Sequence, residues 1–352
     1  MHIKITYHLM PWEIDYALLT FTQLKKSLYF LPSKGIEITI DSVLNLSPNY
    51  IDWKKSKLPK EYFIEKYNSY SLVLDRFYTH NKKIYEGDEL YGHLDLQREC
   101  VGKEFTHYMN ICPDLYFSET ALTTYIQTVP IIKKNFKTPH YSDHYVIVPE
   151  IFQMWDDTWR EIVAPEYRHI PNEEWHTADV FDIRALKKHK ERLAIVDNKD
   201  KVGLRVVKKF LKWTGWFDLY SKDLYEKIII PPKNWKGYGP WDLYSMNVVA
   251  DLYNDHNFKF LEFIVSEKVG KYSTGPLNQK KGAHTGHWIQ SPIKKFLHIK
   301  ENNTKEDQRQ RMGKDGNPLE QIKHSKNSEV KKRIKQLQKN KKLWKSISTE
   351  EN

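Results

Sequence analysis

The residues with the clearest chemical potential lie in residues 106–122, which read THYMNICPDLYFSETAL. The run from His107 to Ile111 predicts a short strand, and Pro113 cannot continue it because proline lacks the amide hydrogen that an interior strand needs. Asp114 follows where the strand ends, and Ser118 is a suitable N-cap for a helix. A carboxylate at the carboxyl end of a strand is well placed to bind a divalent cation through oxygen. A simple turn residue is the alternative interpretation of Asp114.

The composition is that of a protein with a sizeable core. The chain has 352 residues, of which 40% are hydrophobic and 14% aromatic, which fits one large α/β domain or two ordinary ones. The two cysteines, Cys100 and Cys112, provide neither a disulfide framework nor a zinc site. The sequence begins without an apolar leader, and no run approaches the roughly 18 apolar residues of a spanning helix. We therefore expect a soluble, cytoplasmic protein, with peripheral attachment to a membrane as a further option.

The positive charge is concentrated in a tail over residues 299–352. The formal net charge is +11, and Glu301–Asn352 carries 14 Lys or Arg against 8 Asp or Glu, which is +6 of that total. Apolar residues of this tail lie near one face of a predicted helix among many lysines: Val330, Ile334, Leu337 and Trp344. A basic amphipathic helix suits an anionic membrane surface or a nucleic acid. A disordered, solubilising tail is the alternative.

The chain begins with a strand–helix–strand unit. Alternating apolar and polar residues predict strands within His2–Met10 and Ile36–Leu46. Apolar residues recur at helical spacing between them: Ala17, Phe21, Leu24 and Leu28. Such a βαβ unit is the basis of a parallel sheet. Further strands are predicted over Tyr70–Leu74, Tyr145–Val148 and Phe258–Val265, and further helices over Glu89–Phe105 and Ala121–Val129.

A second stretch with chemical potential, residues 213–249, combines glycine, aromatic and acidic residues. Within it the loop NWKGYGP, residues 234–240, comes just before Asp242, which stands at a predicted helix start. Farther on, a glycine-rich and basic segment contains His284 and His287.

Two of these stretches together resemble the GT-A glycosyltransferases. Cys112-Pro113-Asp114 stands where that family has an Asp-x-Asp motif, with Cys112 in place of the first acid. Residues 215–242 are similar to the family's glycine–aromatic strand, capped helix and tryptophan-rich loop with acids, although Trp241 precedes Asp242 here. The resemblance extends over roughly residues 1 to 290, in order and spacing.

The resemblance implies a Rossmann-like α/β fold, with a mixed sheet flanked by helices, over residues 1–298. Residues 1–150 would form the nucleotide-binding half and residues 151–298 the acceptor half. The basic tail, residues 299–352, would then be helical or disordered.

The same resemblance implies transfer of a sugar from a nucleotide-diphosphate donor to an acceptor hydroxyl. Asp114 would bind a divalent metal, Mn²⁺ or Mg²⁺, that neutralises the leaving diphosphate, and His284 or His287 would be a second metal ligand or a contact to the diphosphate. Asp242 would be the base of an inverting reaction. Because a thiol is a soft ligand that suits Mg²⁺ poorly, Cys112 leaves a metal-independent enzyme as an alternative. A plain N-cap role for Asp242 and ordinary loop roles for both histidines are the other options.

The nucleotide would lie over the ends of the first strands. The residues expected near its base, ribose or phosphates are Tyr7, His8, Asp41, Asp75, Arg76 and Arg98. The partners would be a nucleotide-sugar donor, an unidentified glycan, lipid, protein or nucleic-acid acceptor, and an anionic membrane surface at the tail. Two other functions fit the sequence: a nucleic-acid-binding protein that uses the basic tail, or a GT-A fold without activity.

Overall fold

The computed structural model describes residues 1–31, 35–75, 79–135, 144–154, 203–207, 217–230, 260–272 and 292–300. Their nine strands form one mixed sheet in the order β3-β2-β1-β4-β8-β6-β9-β5, with β7 also paired to β9. The strands are β1 His2–Leu9, β2 Glu37–Asn45, β3 Thr79–Tyr85, β4 His107–Ile111, β5 Leu115–Phe117, β6 Tyr145–Met154, β7 Gly203–Val207, β8 Leu219–Ser221 and β9 Phe260–Tyr272. The helices of seven or more described residues are α1 Ile14–Tyr29, α2 Lys60–Asp75, α3 His93–Glu99 and α4 Ala121–Asn135, and short helical segments cover Pro11–Glu13, Lys222–Leu224, Tyr225–Ile229 and Pro292–Phe296.

The first four strands of the sheet are parallel. β1 is central, pairing with β2 on one side and β4 on the other, so that Thr6 has both Asp41 and Asn110 as cross-strand neighbours. The order β3-β2-β1-β4 is that of a doubly wound nucleotide-binding half. Beyond β4 the sheet becomes mixed, because β8 is antiparallel to both of its neighbours. The predicted α/β fold is thereby confirmed.

The two faces of β1 bury different kinds of side chain. One face is apolar and packs under α1, as shown by Tyr7, whose ring centroid lies 4.7 Å from that of Phe21. The other face carries Lys4, Thr6 and His8, all buried beneath α3 and the loop that follows it. Strand periodicity places alternate residues on opposite faces, so one strand supplies both surfaces.

The third strand is not where the sequence predicts it. Tyr70–Leu74 lies inside α2, whose buried residues Phe63, Tyr67, Ser71 and Leu74 recur at helical spacing. The actual third strand is β3, which reads THNKKIY and is largely exposed at the sheet edge. A short apolar run does not separate strand from helix by itself, and a polar edge strand gives little hydrophobic signal.

Several other predicted bounds are also wrong. Only His93–Glu99 of the predicted helix 89–105 is helical. α4 continues through Pro130, and β6 continues past Pro149 with a register shift there, which accommodates a residue that cannot donate a backbone hydrogen bond. The boundary predicted at residue 150 therefore falls within β6, while the division into two halves stays a prediction.

The described helices include none that is both long and apolar enough to cross a bilayer.

His107 joins two strands that are not neighbours in the sheet. Its Nε2 lies 2.5 Å from the Tyr145 hydroxyl of β6, and the Tyr145 amide donates to Ser221 Oγ of the intervening β8 at 3.0 Å. Burial lowers the pKa of His107 to about 3, and burial has the same effect on His8. Both imidazoles therefore stay neutral in the folded protein at neutral and mildly acidic pH.

We predict that acid destabilises the protein through these histidines. The unfolded chain protonates them near pH 6.5 and the folded chain near pH 3, so the unfolding free energy falls as pH drops between those values. Each contributes a slope of about 1.4 kcal/mol per pH unit. Denaturant unfolding of His107→Gln between pH 6 and 4 should show a slope shallower by that amount. The exposed His298→Gln should keep the wild-type slope, and equal slopes for all three proteins would contradict the assignment.

Candidate functional site

The residues that follow β1 and the turn that follows β4 meet at the carboxyl edge of the sheet, and we call the region between Glu13, Tyr16 and Asp114 the crevice. In open α/β sheets, ligands bind at this position, outside the carboxyl ends of the strands. The turn after β4 places Asp114 here, with only 6% of its surface exposed. Thr20 Oγ1 of α1 donates to the Pro113 carbonyl and so fixes this turn against the helix.

The crevice has an anionic wall formed by two acids from different parts of the chain. Burial, followed by the charges of Asp114 and Glu13, raises the pKa of Tyr16 to about 12. The same two acids act on the buried Tyr7 hydroxyl, after burial itself. Glu13 is held in place because its carboxylate accepts a hydrogen bond from the Met10 amide at 2.9 Å. An anionic ligand would therefore need a cation to enter this crevice.

The described residues do not by themselves form a metal site. No three His, Cys, Asp or Glu side chains within them come together as a ligand set. Asp114 is an oxygen ligand suited to Mn²⁺ or Mg²⁺, and Cys112 beside it is a soft one. His284 and His287 lie outside the described residues, so metal binding remains a prediction.

Tyr7 and His8 both lie near the end of β1, on opposite faces of the sheet. Tyr7 belongs to the apolar core. His8 is 4% exposed and receives a 3.3 Å contact from Asn45 Nδ2. Asn45 also donates to the Tyr91 carbonyl at 2.7 Å and accepts from the Ser47 amide at 3.0 Å. These bonds fold the segment after β3 over the ends of β1 and β2, so the His8 imidazole is enclosed by protein.

Asp41 lies in the middle of β2 rather than at its end. Its carboxylate is 2.5 Å from the buried Lys4 ammonium, accepts from Asn81 at 2.7 Å and receives the Cys100 thiol at 2.9 Å. Burial raises the pKa of Cys100, and Asp41 raises it further. The structure thus gives Asp41 a set of protein partners away from the crevice.

Asp75 ends α2 and belongs to a buried chain of polar groups, not to the end of a strand. Its carboxylate lies 2.7 Å from His80 Nδ1 and 2.6 Å from Lys82 Nζ. On the far side of the ring, His80 Nε2 lies 2.6 Å from Ser42 Oγ, which is 2.6 Å from the Tyr67 hydroxyl. The order acid, imidazole, hydroxyl resembles a hydrolytic triad, but Ser42 is 1% exposed and cannot meet a substrate.

The other predicted site residues are distributed as follows. Arg98 lies in α3, where its Nη1 donates to Asp95 at 3.1 Å. Arg76 and Asp242 lie outside the described residues, as do residues 301–352 of the basic tail and the loop before Asp242. The crevice therefore brings together Asp114 and the Tyr7 hydroxyl among the predicted residues, whereas Asp41, Asp75 and Arg98 have partners elsewhere.

Glu13 and Tyr16 are the crevice residues that sequence reasoning missed. A signal for them exists: Pro11 ends the first strand, and Glu13 follows Met10 by three residues, which is the spacing of a capping interaction. Residues in the turn after a first parallel strand necessarily face the same edge as those after β4.

No protein-family model and no curated protein matches the sequence. Solved structures do match in fold, each at 11% sequence identity. S. aureus TarS matches with a TM-score of 0.40 over 76% of this chain and 36% of that chain, and TarS 1-349 in complex with UDP-GlcNAc matches with a TM-score of 0.40 over 77% and 59% of the two chains. GalNAc-T7 with UDP, GalNAc and Mn²⁺ matches with a TM-score of 0.39 over 77% of this chain and 44% of that chain. These are GT-A glycosyltransferases. This chain spans less than two thirds of the length of these proteins. TM-scores near 0.4 support no conclusion about function.

We predict that Asp75→Asn weakens the fold. The amide cannot balance Lys82 or accept strongly from His80, which costs about 1–3 kcal/mol of unfolding free energy. Burial raises the pKa of Asp75, but hydrogen bonds from Lys82 and His80 bring it below its ordinary value overall. Denaturant unfolding should show the loss at pH 7, with the exposed Asp88→Asn as the matched control. Equal stability of both variants would contradict the structural role.

Proposed function

We propose that this protein is a glycosyltransferase that moves a sugar from a nucleotide-diphosphate donor to an acceptor hydroxyl. The observation that carries the proposal is the position of Asp114, buried in a strand–turn–strand at the crevice between β1 and β4. A nucleotide bound at this edge would have its diphosphate near the turn, because that is where parallel α/β sheets receive phosphorylated ligands. The resemblance of residues 112–114 to the Asp-x-Asp motif supports the same assignment.

The chain's own groups would act on the donor in two ways. Tyr16, half-buried beside Asp114, has a raised pKa and therefore keeps its proton and can donate a hydrogen bond to a diphosphate oxygen. The enclosed crevice lowers the local dielectric constant, which strengthens such interactions as charge develops on the leaving group. Asp242 is the proposed base that removes the proton from the acceptor hydroxyl.

Nucleotide binding gives the first prediction for this function. UDP or GDP, with Mn²⁺ present, should stabilise the folded protein by about 2.7 kcal/mol when the ligand exceeds its Kd 100-fold. We expect a smaller shift without Mn²⁺, since two carboxylates face the crevice. Differential scanning fluorimetry measures both conditions. The absence of a shift with every nucleoside diphosphate would count against the proposal.

Turnover gives the second prediction. In a donor screen that follows release of nucleoside diphosphate, Asp114→Ala should lower kcat by about 100-fold or more. Asp242→Asn should lower it by about 10²–10⁴-fold if it removes the base. Asp223→Asn is the matched control, because residue 223 follows the end of β8 at the opposite edge of the sheet from the crevice. Nucleotide binding without turnover of any donor would indicate a GT-A fold that has lost its activity.

A further inference from the structure

The face of the sheet beneath α3 contains buried polar atoms that lack hydrogen-bond partners. Gln97 of α3 is 0% exposed, and neither its amide nitrogen nor its amide oxygen has a partner. The Tyr225 hydroxyl is likewise buried without one. Buried polar groups are almost always hydrogen-bonded, to protein or to ordered water, because a missing bond costs the whole desolvation penalty of the group.

The helix that carries Gln97, α3, and Tyr225 both lie on the polar face of the sheet. α3 packs against β1, and the Tyr225 ring is stacked on Tyr108 of β4 with centroids 4.4 Å apart and an interplanar angle of 9°. Between β1 and β4 on this face, Thr6 Oγ1 makes a long 3.3 Å contact to Asn110 Oδ1. After burial itself, Cys100 is the group that raises the pKa of Tyr225 most, and Cys100 directly follows α3.

We propose that α3 and Tyr225 enclose a single internal water site, in which bound water bridges the Gln97 amide and the Tyr225 hydroxyl. The Gln97 amide offers both a hydrogen-bond donor and an acceptor, and the Tyr225 hydroxyl can act as either. Water matches both groups because a water molecule donates and accepts hydrogen bonds. A charged ligand fits less well, because Lys4 and Asp41 nearby already neutralise each other at 2.5 Å. Internal waters typically make about three such bonds.

The sign of the stability change tests whether the site holds water. Gln97→Met keeps the side-chain length but removes both polar atoms, and Tyr225→Phe removes only the hydroxyl. In a hydrated site, each variant of the full chain should lower Tm by about 2–4 °C, since water loses a partner and the other group is left unpaired. In a dry site, each change removes an unpaired polar group and Tm should rise.

The double variant tests whether the two residues share the water. With a shared site, Gln97→Met/Tyr225→Phe should lower Tm by less than the sum of the single losses. Water-¹⁷O relaxation dispersion should also count at least one long-lived water fewer in either single variant. The controls are exposed positions of the same residue types, Gln127→Met and Tyr29→Phe. A rise in either Tm, additive losses or an unchanged water count would overturn the proposal.

Discussion

The rest of the structure depends on the parallel pairing of β1 with β2 on one side and β4 on the other. The connections that follow β1 and β4 meet at the carboxyl edge of the sheet, because α1 packs against both β5 and α4 and Thr20 of α1 donates to the Pro113 carbonyl. Pro11 and Pro113 end the two strands next to that crevice. The acids that follow them, Glu13 and Asp114, are thereby brought together although about a hundred residues separate them.

β1 also explains why the two faces of the sheet behave differently. On the face toward α1, its residues join a continuous apolar core, whose burial is the main source of stability. On the face toward α3, Lys4 is 4% exposed and is tolerated because Asp41 pairs with it. A buried pair adds little stability over apolar residues, but removing one partner leaves an uncompensated charge.

The sequence predicts well those elements whose signal is local and periodic. β1, β2 and the helix between them follow from alternation and helical spacing, and β4 follows from a short run that Pro113 ends. The strand β3 is not predicted because an edge strand needs few apolar residues. The strand predicted over Tyr70–Leu74 lies inside α2, so Asp75 is at the end of a helix and not at the end of a strand. The partners of Asp75 could not be inferred from sequence, because His80 and Ser42 reach it only through tertiary packing. Asp114 could be placed at the crevice because its position depends only on where one strand ends.

Cys112 carries no carboxylate, so Asp114 is the one acid of the two residues that flank Pro113. The structure offers a physical compensation, because Glu13 contributes a second carboxylate to the same crevice from the end of β1. Both acids act on Tyr16 and on the buried Tyr7 hydroxyl, so the electrostatic character of the crevice depends on the fold rather than on two adjacent motif positions. Two carboxylates from different parts of the chain therefore act at this edge of the sheet although residue 112 is a cysteine. The proposed sugar transfer also assigns roles to Asp242 and to His284 or His287, which lie outside the described residues.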